Sequence, residues 1–155
     1  GYAHGATALR RNPDVFKWPN SSIGYVIPRS KWVAGWTNSR FCIVMRGDTP
    51  SSHSFYNAIA AGCIPLLISD LFEEVALPFK EHINLTSFTV IVPEEKWLKQ
   101  PRAVYEQLVH LSEDTIRRKL TALADVQPML LYKHPRSRVA DLMLEQMALH
   151  AGRAA

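Results

Sequence analysis

The chain has 155 residues, of which 47% are hydrophobic and 21% are charged, and its formal net charge is +4. This length suits one domain with its own core, and the composition excludes a disordered or fibrous protein. Lysine and arginine are mostly scattered along the chain, so no coherent basic face for nucleic acid is predicted. A small anionic ligand fits the modest positive excess equally well.

The longest nearly apolar stretch of the sequence runs from Ala58 to Ile68 and has 11 residues, among them Gly62 and Pro65. A membrane-spanning helix needs about 20 apolar residues, so no membrane span is predicted in this chain. The sequence opens with Gly1, and no charged segment followed by an apolar segment marks its start. No targeting signal is therefore recognised.

The first part of the chain, residues 1–29, is rich in turn-forming residues, and only Ala6 to Arg11 has a helical pattern. Ser30 is predicted to cap a short helix that extends to about Thr37 and carries Trp32, Val33 and Trp36 on one side.

A strand, a helix and a second strand are predicted next. The continuous apolar run Phe41 to Met45 is typical of a strand that is buried on both faces, as in a parallel sheet. Thr49 is predicted to be the N-cap, and Pro50 the first residue, of a helix from Ser51 to about Ala61, with Gly62 as its left-handed C-terminal cap. The apolar run from Ile64 to Ile68 follows, which predicts a βαβ unit with parallel strands.

Beyond this unit the pattern becomes mainly helical. Leu77-Pro78-Phe79 predicts a loop, and Phe88 to Val92 predicts a third, shorter strand. Three helices are then predicted, from Pro101 to Leu111, from Ser112 onward, and from Arg138 to Ala151.

Two cysteines, Cys42 and Cys63, lie in apolar surroundings. They are either plain core residues or the two halves of one bridge. Because free cysteine is among the most buried residue types, the core-thiol interpretation is favoured.

The segment from Arg46 to His53 follows a predicted strand and precedes a predicted helix. Ligands of parallel sheets bind at this place, where the helix offers free N–H groups. Its composition suits a phosphate: Gly47 allows close backbone approach, Arg46 offers a forked cation, and Thr49, Ser51 and Ser52 offer hydroxyls. Neither the Walker signature nor the dinucleotide fingerprint is present. The alternative is a capped helix whose hydroxyls serve only the backbone.

The ordered run over residues 39–70 closely resembles the signature of the exostosin family of glycosyltransferases. The resemblance lies in Ser39-Arg40-Phe41-Cys42, in the turn Arg46-Gly47-Asp48-Thr49-Pro50, and in Ala-Ile-Ala-Ala-Gly-Cys-Ile-Pro at residues 58–65, and extends over about residues 30–127. It implies a Rossmann-like α/β fold, a parallel sheet with flanking helices, forming the C-terminal half of a two-domain GT-B glycosyltransferase. The implied organisation is an N-terminal segment (1–29), a nucleotide-sugar-binding domain (30–135) and a C-terminal helix (136–155).

The same resemblance implies a function. Members of the family are Golgi enzymes, anchored in the membrane, whose lumenal domains transfer a hexose or pentose from a nucleotide-diphosphate sugar, here expected to be a UDP-sugar, to a glycan or glycoprotein acceptor with inversion. No cofactor or metal is expected. The six histidines show no ligand spacing. The implied partners are the donor, the acceptor and an N-terminal half of the same enzyme.

The resemblance also implies donor-binding residues, which are assigned position by position. Arg46 matches the family arginine near the donor diphosphate, and the turn and helix start beneath it complete the expected donor-binding set: Arg46, Gly47, Asp48, Thr49, Ser51, Ser52, His53 and Asn57. Asn57 stands where the family usually has a carboxylate that accepts from ribose hydroxyls, and an amide oxygen still accepts without charge. No residue is identified as the catalytic base.

Two other interpretations stay open. The Asn57 departure is compatible with a non-catalytic relative that kept the fold and lost donor binding. Arg46-Gly47-Asp48 also reads as an adhesion tripeptide, which would require an exposed flexible tip instead of a turn between a strand and a helix. Separately, Asn20-Ser21-Ser22 and Asn84-Leu85-Thr86 are N-glycosylation sequons, consistent with the secretory pathway.

Overall fold

The computed structural model describes residues 15–16 and 27–153. The chain divides into two compact units, residues 1–39 and 40–155. The helical segment predicted from Ala6 to Arg11 lies outside the described residues.

The first unit contains a short antiparallel pair and one helix. Strand β1 (Val15–Phe16) pairs with β2 (Ile27–Pro28), and helix α1 (Arg29–Thr37) follows directly. The prediction that Ser30 caps this helix is wrong, because the extended backbone of Pro28 leads straight into a helix that begins at Arg29 and places Ser30 in its first turn. The Trp32 and Trp36 rings lie 5.4 Å apart, so these two side chains do share one side of the helix.

The second unit is an α/β arrangement. Its elements in chain order are β3 (Phe41–Met45), α2 (His53–Ala61), β4 (Ile64–Ile68), α3 (Phe72–Val75), α4 (Leu85–Phe88), β5 (Val90–Ile91), α5 (Glu94–Lys99), α6 (Pro101–Val109), α7 (Glu113–Leu130) and α8 (Val139–Arg153). Ser112 caps α7 as predicted, since its hydroxyl accepts a hydrogen bond from the Thr115 N–H at 3.2 Å. No described helix is long and apolar enough to cross a bilayer.

The predicted βαβ unit is confirmed. The sheet of the second unit has the order β3-β4-β5, and both strand pairs are parallel. β3 and β4 are in register from Phe41 opposite Ile64 to Met45 opposite Ile68. Gly62, at a φ of 70°, ends α2 in the left-handed conformation, as the sequence predicted. The carboxyl ends of all three strands therefore meet at one edge of the sheet.

The prediction that β3 is buried on both faces is wrong. Cys42 and Val44 are buried, whereas Ile43 and Met45 are 50% and 46% exposed. β3 is an edge strand of the described sheet, and only the central strand β4 has all five residues buried. The continuous apolar run therefore predicted the position of the strand correctly and its burial incorrectly.

Two predicted element boundaries also need correction. Thr49 is not the N-cap of α2, because the helix begins at His53 and Ser52 caps it, with its hydroxyl accepting from the Ser54 N–H at 3.2 Å. The third strand is only Val90–Ile91, because Phe88 closes the short helix α4. The backbone still extends the ladder by one hydrogen bond, from the Val92 N–H to the Leu67 carbonyl at 2.9 Å.

The cysteine prediction is wrong as well: Cys42 and Cys63 form a disulfide. Cys42 lies in β3 and Cys63 in the turn before β4. The parallel pairing of these strands brings the two Cα atoms to within 5.8 Å of each other. Both cysteines are buried, so the burial behind the core-thiol interpretation was right even though the oxidation state was not.

The core of the second unit combines the sheet with its helices. One cluster joins β4 and β5 residues to Val104 of α6 and Ile116 of α7. Three buried phenylalanine rings form another contact group, with Phe55 4.6 Å from Phe72 and 6.2 Å from Phe88. These contacts fix the helices against the sheet and hold its carboxyl edge in place.

Candidate functional site

The carboxyl edge of the sheet gathers polar side chains from three consecutive strand ends. Arg46 follows β3 directly, Ser69 and Asp70 follow β4, and Glu94 follows β5 after Val92 and Pro93. The Arg46 N–H donates to the Ile68 carbonyl at 3.2 Å, which extends the β3–β4 ladder by one step and fixes the backbone from which the guanidinium projects.

The Arg46 side chain is half exposed and lies against a carboxylate. Its Nε donates to the Gly47 carbonyl at 3.3 Å, and its Nη1 lies 3.7 Å from Glu94 Oε2. The Arg46 side chain is 45% exposed and that of Glu94 30% exposed. The ion pair is thus loose and accessible, which leaves guanidinium donors available to an anionic ligand.

The loops after β4 and β5 are joined by reciprocal hydrogen bonds. The Asp70 N–H donates to Glu94 Oε1 at 3.2 Å, and the Glu94 N–H donates to Asp70 Oδ1 at 3.1 Å. The buried hydroxyl of Ser69 donates to the Pro50 carbonyl at 3.1 Å and so ties the β4 end to the loop after β3. These bonds connect the three strand ends into one framework.

The predicted loop residues are individually accessible. Gly47, Asp48, Thr49, Ser51 and His53 are exposed, and Ser52 is half-buried because it caps α2. The Thr49 and Ser51 hydroxyl oxygens lie 3.0 Å apart. A Cβ placed on Gly47 would meet no atom within 4 Å, so the space above this glycine is open.

Asn57 lies beside a different feature, a cavity of about 500 Å³ between α2 and the end of α7. The cavity is lined by polar side chains together with apolar ones, among them Tyr56, Asn57, Gln127, Tyr132, Lys133 and His134. No residue from 46 to 53 lines it. Asn57 is nevertheless one helical turn after His53 and on the same face, so the cavity and the loop are neighbours along α2.

Two pKa values in the second unit are displaced by burial. Burial raises the pKa of the Tyr56 phenol above its ordinary value, and Tyr56 is one of the residues that line the cavity. Burial, and then the charge of Arg118, lowers the pKa of Lys119. Lys119 donates to the carbonyls of Thr86 and Thr89 at 2.9 and 2.7 Å, which is a structural role at the end of α4.

The structure brings Ser69, Asp70 and Glu94 to the same edge of the sheet as the candidate site that the sequence predicted. The available signal was their position, since each polar residue comes within two residues of the end of an apolar strand run. No cluster of three or more histidine, cysteine, aspartate or glutamate side chains suited to a metal occurs among residues 15–16 and 27–153.

Comparisons with known proteins agree with the resemblance. The family described as the exostosin GT47 domain matches residues 18–108. The chain is 29% identical over 108 residues to a probable arabinosyltransferase of Arabidopsis thaliana, covering 70% of this chain and 23% of the relative. A probable xyloglucan galactosyltransferase of the same plant is 30% identical over 107 residues, covering 68% of this chain and 22% of the relative.

An animal relative shows a shorter but more similar match. The Exostosin-1 homolog of Caenorhabditis elegans is 39% identical over 64 residues, which is 41% of this chain and 16% of that protein. In all three relatives the matched region is about a quarter or less of the whole length.

Proposed function

We propose that this chain, which belongs to the exostosin GT47 domain family, forms the donor-binding part of a glycosyltransferase that uses a nucleotide-diphosphate sugar. The observation that carries the proposal is the position of Arg46. Its half-exposed guanidinium stands at the carboxyl end of β3, just before the loop that leads to the start of α2. Parallel α/β sheets bind phosphate-bearing ligands at this place.

In this proposal Arg46 binds the donor diphosphate. The guanidinium exchanges its loose contact with Glu94 for charge-assisted hydrogen bonds to phosphate oxygens. As the bond from the sugar to the diphosphate breaks, negative charge grows on the leaving group, and a fixed cation beside it lowers the barrier. The open space above Gly47 gives the phosphates room to approach the backbone.

The nucleoside is proposed to extend along α2 toward the cavity that Asn57 lines. The Asn57 amide offers both an acceptor and donors to ribose hydroxyls, and the neutral Tyr56 phenol offers one more hydrogen-bonding group. This arrangement would let the amide replace the family carboxylate without a charge.

The remaining features are proposed from family membership. They are a GT-B architecture in which this chain is the C-terminal half, a UDP-sugar donor, inversion at the sugar, a glycan or glycoprotein acceptor held largely by an N-terminal half, and a location in the Golgi lumen. Two relatives are named as a probable arabinosyltransferase and a probable xyloglucan galactosyltransferase, names that denote pentosyl and hexosyl transfer respectively. The donor panel should therefore include UDP-arabinose and UDP-galactose.

The first prediction tests Arg46. Titration calorimetry with UDP and with each UDP-sugar is expected to show weak binding by the chain, and Arg46→Ala is expected to weaken it by about tenfold or more, because hydrogen bonds to charged groups contribute about 1.5–3 kcal/mol. The UDP affinity of Arg46→Lys should lie between those of wild type and Arg46→Ala, since lysine keeps the positive charge but lacks the paired N–H donors of the guanidinium. We expect no acceptor-dependent release of UDP from this chain alone.

Arg102→Ala is the matched control, because Arg102 is exposed and its ion pair among the described residues is with Glu106 on its own helix. Equal UDP affinity in wild type and Arg46→Ala would refute the assignment. If the chain folds but binds no nucleotide at all, the second candidate holds: a non-catalytic exostosin-like fold, which the amide at position 57 favours.

A further inference from the structure

The segment between β4 and β5 carries the tripeptide Asn84-Leu85-Thr86 at the surface. Burial alternates along it: Ile83 is 4% and Leu85 2% exposed, whereas Asn84 and Thr86 are exposed. The two buried neighbours anchor the backbone, so the Asn84 and Thr86 side chains project outward. Asn-x-Ser/Thr with a residue other than proline in the middle is the acceptor sequence for N-linked glycans.

The hydrogen bonds of Asn84 involve only one end of its amide. Oδ1 accepts from the Thr86 N–H at 3.1 Å and from the Thr86 hydroxyl at 2.8 Å. Among the described residues no hydrogen bond engages Nδ2. A glycan on Nδ2 leaves the amide carbonyl unchanged, so both bonds to Oδ1 persist after modification.

The disulfide supplies an independent argument about the compartment. Cys42 and Cys63 form a buried bridge, and these are the two cysteines of the chain. Structural disulfides form and persist in oxidising compartments such as the lumen of the endoplasmic reticulum and are rare in the cytosol. A chain that matures there also meets the machinery that glycosylates sequons.

We propose that Asn84 carries an N-linked glycan. In the reaction, the Asn84 Nδ2 loses one proton and forms a bond to the anomeric carbon of an oligosaccharide carried on a lipid diphosphate. The bond between that carbon and the diphosphate oxygen breaks, and the lipid diphosphate leaves with the bonding electrons. The proton passes to a base of the transferring enzyme.

The position of Asn84 keeps such a glycan away from the proposed donor site. Helix α4 ends at Phe88, two residues before β5 begins at Val90, so it lies toward the amino end of that strand. Arg46 and Glu94 follow the carboxyl ends of their strands. The glycan and the donor would therefore occupy opposite edges of the sheet. The proposal requires the lumenal location of the proposed function but not donor binding.

The test is site-specific mass spectrometry of the complete natural protein from eukaryotic cells, before and after peptide-N-glycosidase in heavy-oxygen water. We expect the peptide that contains Asn84 to carry a glycan and to appear as labelled aspartate after the enzyme. Thr86→Ala should abolish the modification, and Thr86→Ser should retain it because the hydroxyl remains.

Asn84→Asp is the folding control, because a carboxylate oxygen can still accept from the Thr86 N–H while the glycan cannot form. This variant should fold normally, and its gel mobility should show one glycan fewer than wild type. Peptide mapping distinguishes this site from the sequon at Asn20. An unmodified Asn84 in wild-type protein overturns the proposal. UDP titration of protein made in bacteria, which lacks the glycan, tests the donor site separately.

Discussion

The two carboxylate oxygens of Glu94 have different neighbours. Oε1 accepts from the Asp70 N–H and holds the loops after β4 and β5 together, while Oε2 lies 3.7 Å from Arg46 Nη1. The first contact maintains the shape of the site. The second partly neutralises the cation that we propose binds the diphosphate, so the carboxylate and the donor compete for one guanidinium.

The second prediction follows from this competition. Glu94→Gln keeps an oxygen that can accept from Asp70 but removes the negative charge, so UDP should bind about two- to fivefold more tightly than to wild type at low salt. The difference should shrink as salt screens the charges. Calorimetry at two ionic strengths provides the measurement.

Two companion variants separate charge from shape. Glu95→Gln removes a neighbouring charge that pairs with Lys99 instead of Arg46, and it should leave UDP affinity almost unchanged. Glu94→Ala removes both contacts of the side chain and should loosen the loop. Weaker UDP binding by Glu94→Gln than by wild type would mean that Glu94 orients Arg46 more than it competes with the donor.

The third prediction uses the open space above Gly47. A Cβ there meets nothing within 4 Å and the backbone is not left-handed, so Gly47→Ala should change the free energy of unfolding by less than about 0.5 kcal/mol. Gly47→Val should fill the space and weaken UDP binding by about tenfold, since a steric clash costs about 1–3 kcal/mol. Denaturant unfolding of both variants measures their stability, and UDP titration of the same samples measures their affinity. If the valine variant binds UDP like wild type, the phosphates do not pass over Gly47.

At the scale of elements, the start of α2 shows how a tertiary contact overrides a local signal. Thr49-Pro50 has the composition of a helix start, but the Pro50 carbonyl accepts from the Ser69 hydroxyl, and the Thr49 hydroxyl lies against that of Ser51. The segment is held as a loop by these bonds. Ser52, in extended conformation, becomes the cap.

The fourth prediction compares the two candidate caps. Ser52→Ala should lower the free energy of unfolding by about 1 kcal/mol because it removes the acceptor for the Ser54 N–H. Thr49→Ala should lower it by less than half as much. Urea unfolding of both variants makes the comparison, and an equal loss in the two would contradict the cap assignment.

The order of the central elements was predictable because their sequence patterns are strong. Apolar runs identified β3 and β4, and Gly62 marked the end of the helix between them. The exposure of Ile43 was not predictable, since an edge strand and a central strand can have the same apolar run. Position, composition and the resemblance all pointed to Arg46, whereas the contact of Glu94 with Arg46 depends on the sheet, which brings the ends of β3 and β5 to one edge.

At the scale of the whole molecule, the disulfide crosslinks the edge strand to the centre of the sheet. It joins residues 21 positions apart, across the whole of α2. The sequence offered two cysteines in apolar surroundings, and only the parallel register showed that they face each other. Local patterns contain no information about such a pair.

The fifth prediction concerns its contribution to stability. Cys42→Ala with Cys63→Ala should lower the free energy of unfolding by about 3 kcal/mol, the value expected for closing a loop of this length in the unfolded chain. Denaturant unfolding of the double variant, compared with oxidised and reduced wild type, measures it. Reduced wild type should resemble the variant; equal stability of the oxidised and the reduced protein would contradict the predicted contribution of the bridge.

The exposed side chains of β3 have a practical consequence. A strand with an unpaired edge and apolar residues facing water is a template onto which another copy can add. In the part of the chain that the structure describes, no strand pairs with the outer edge of β3, and Ile43 and Met45 are its exposed apolar side chains. Concentrated stocks of this chain are therefore expected to become turbid as copies add to one another along this edge.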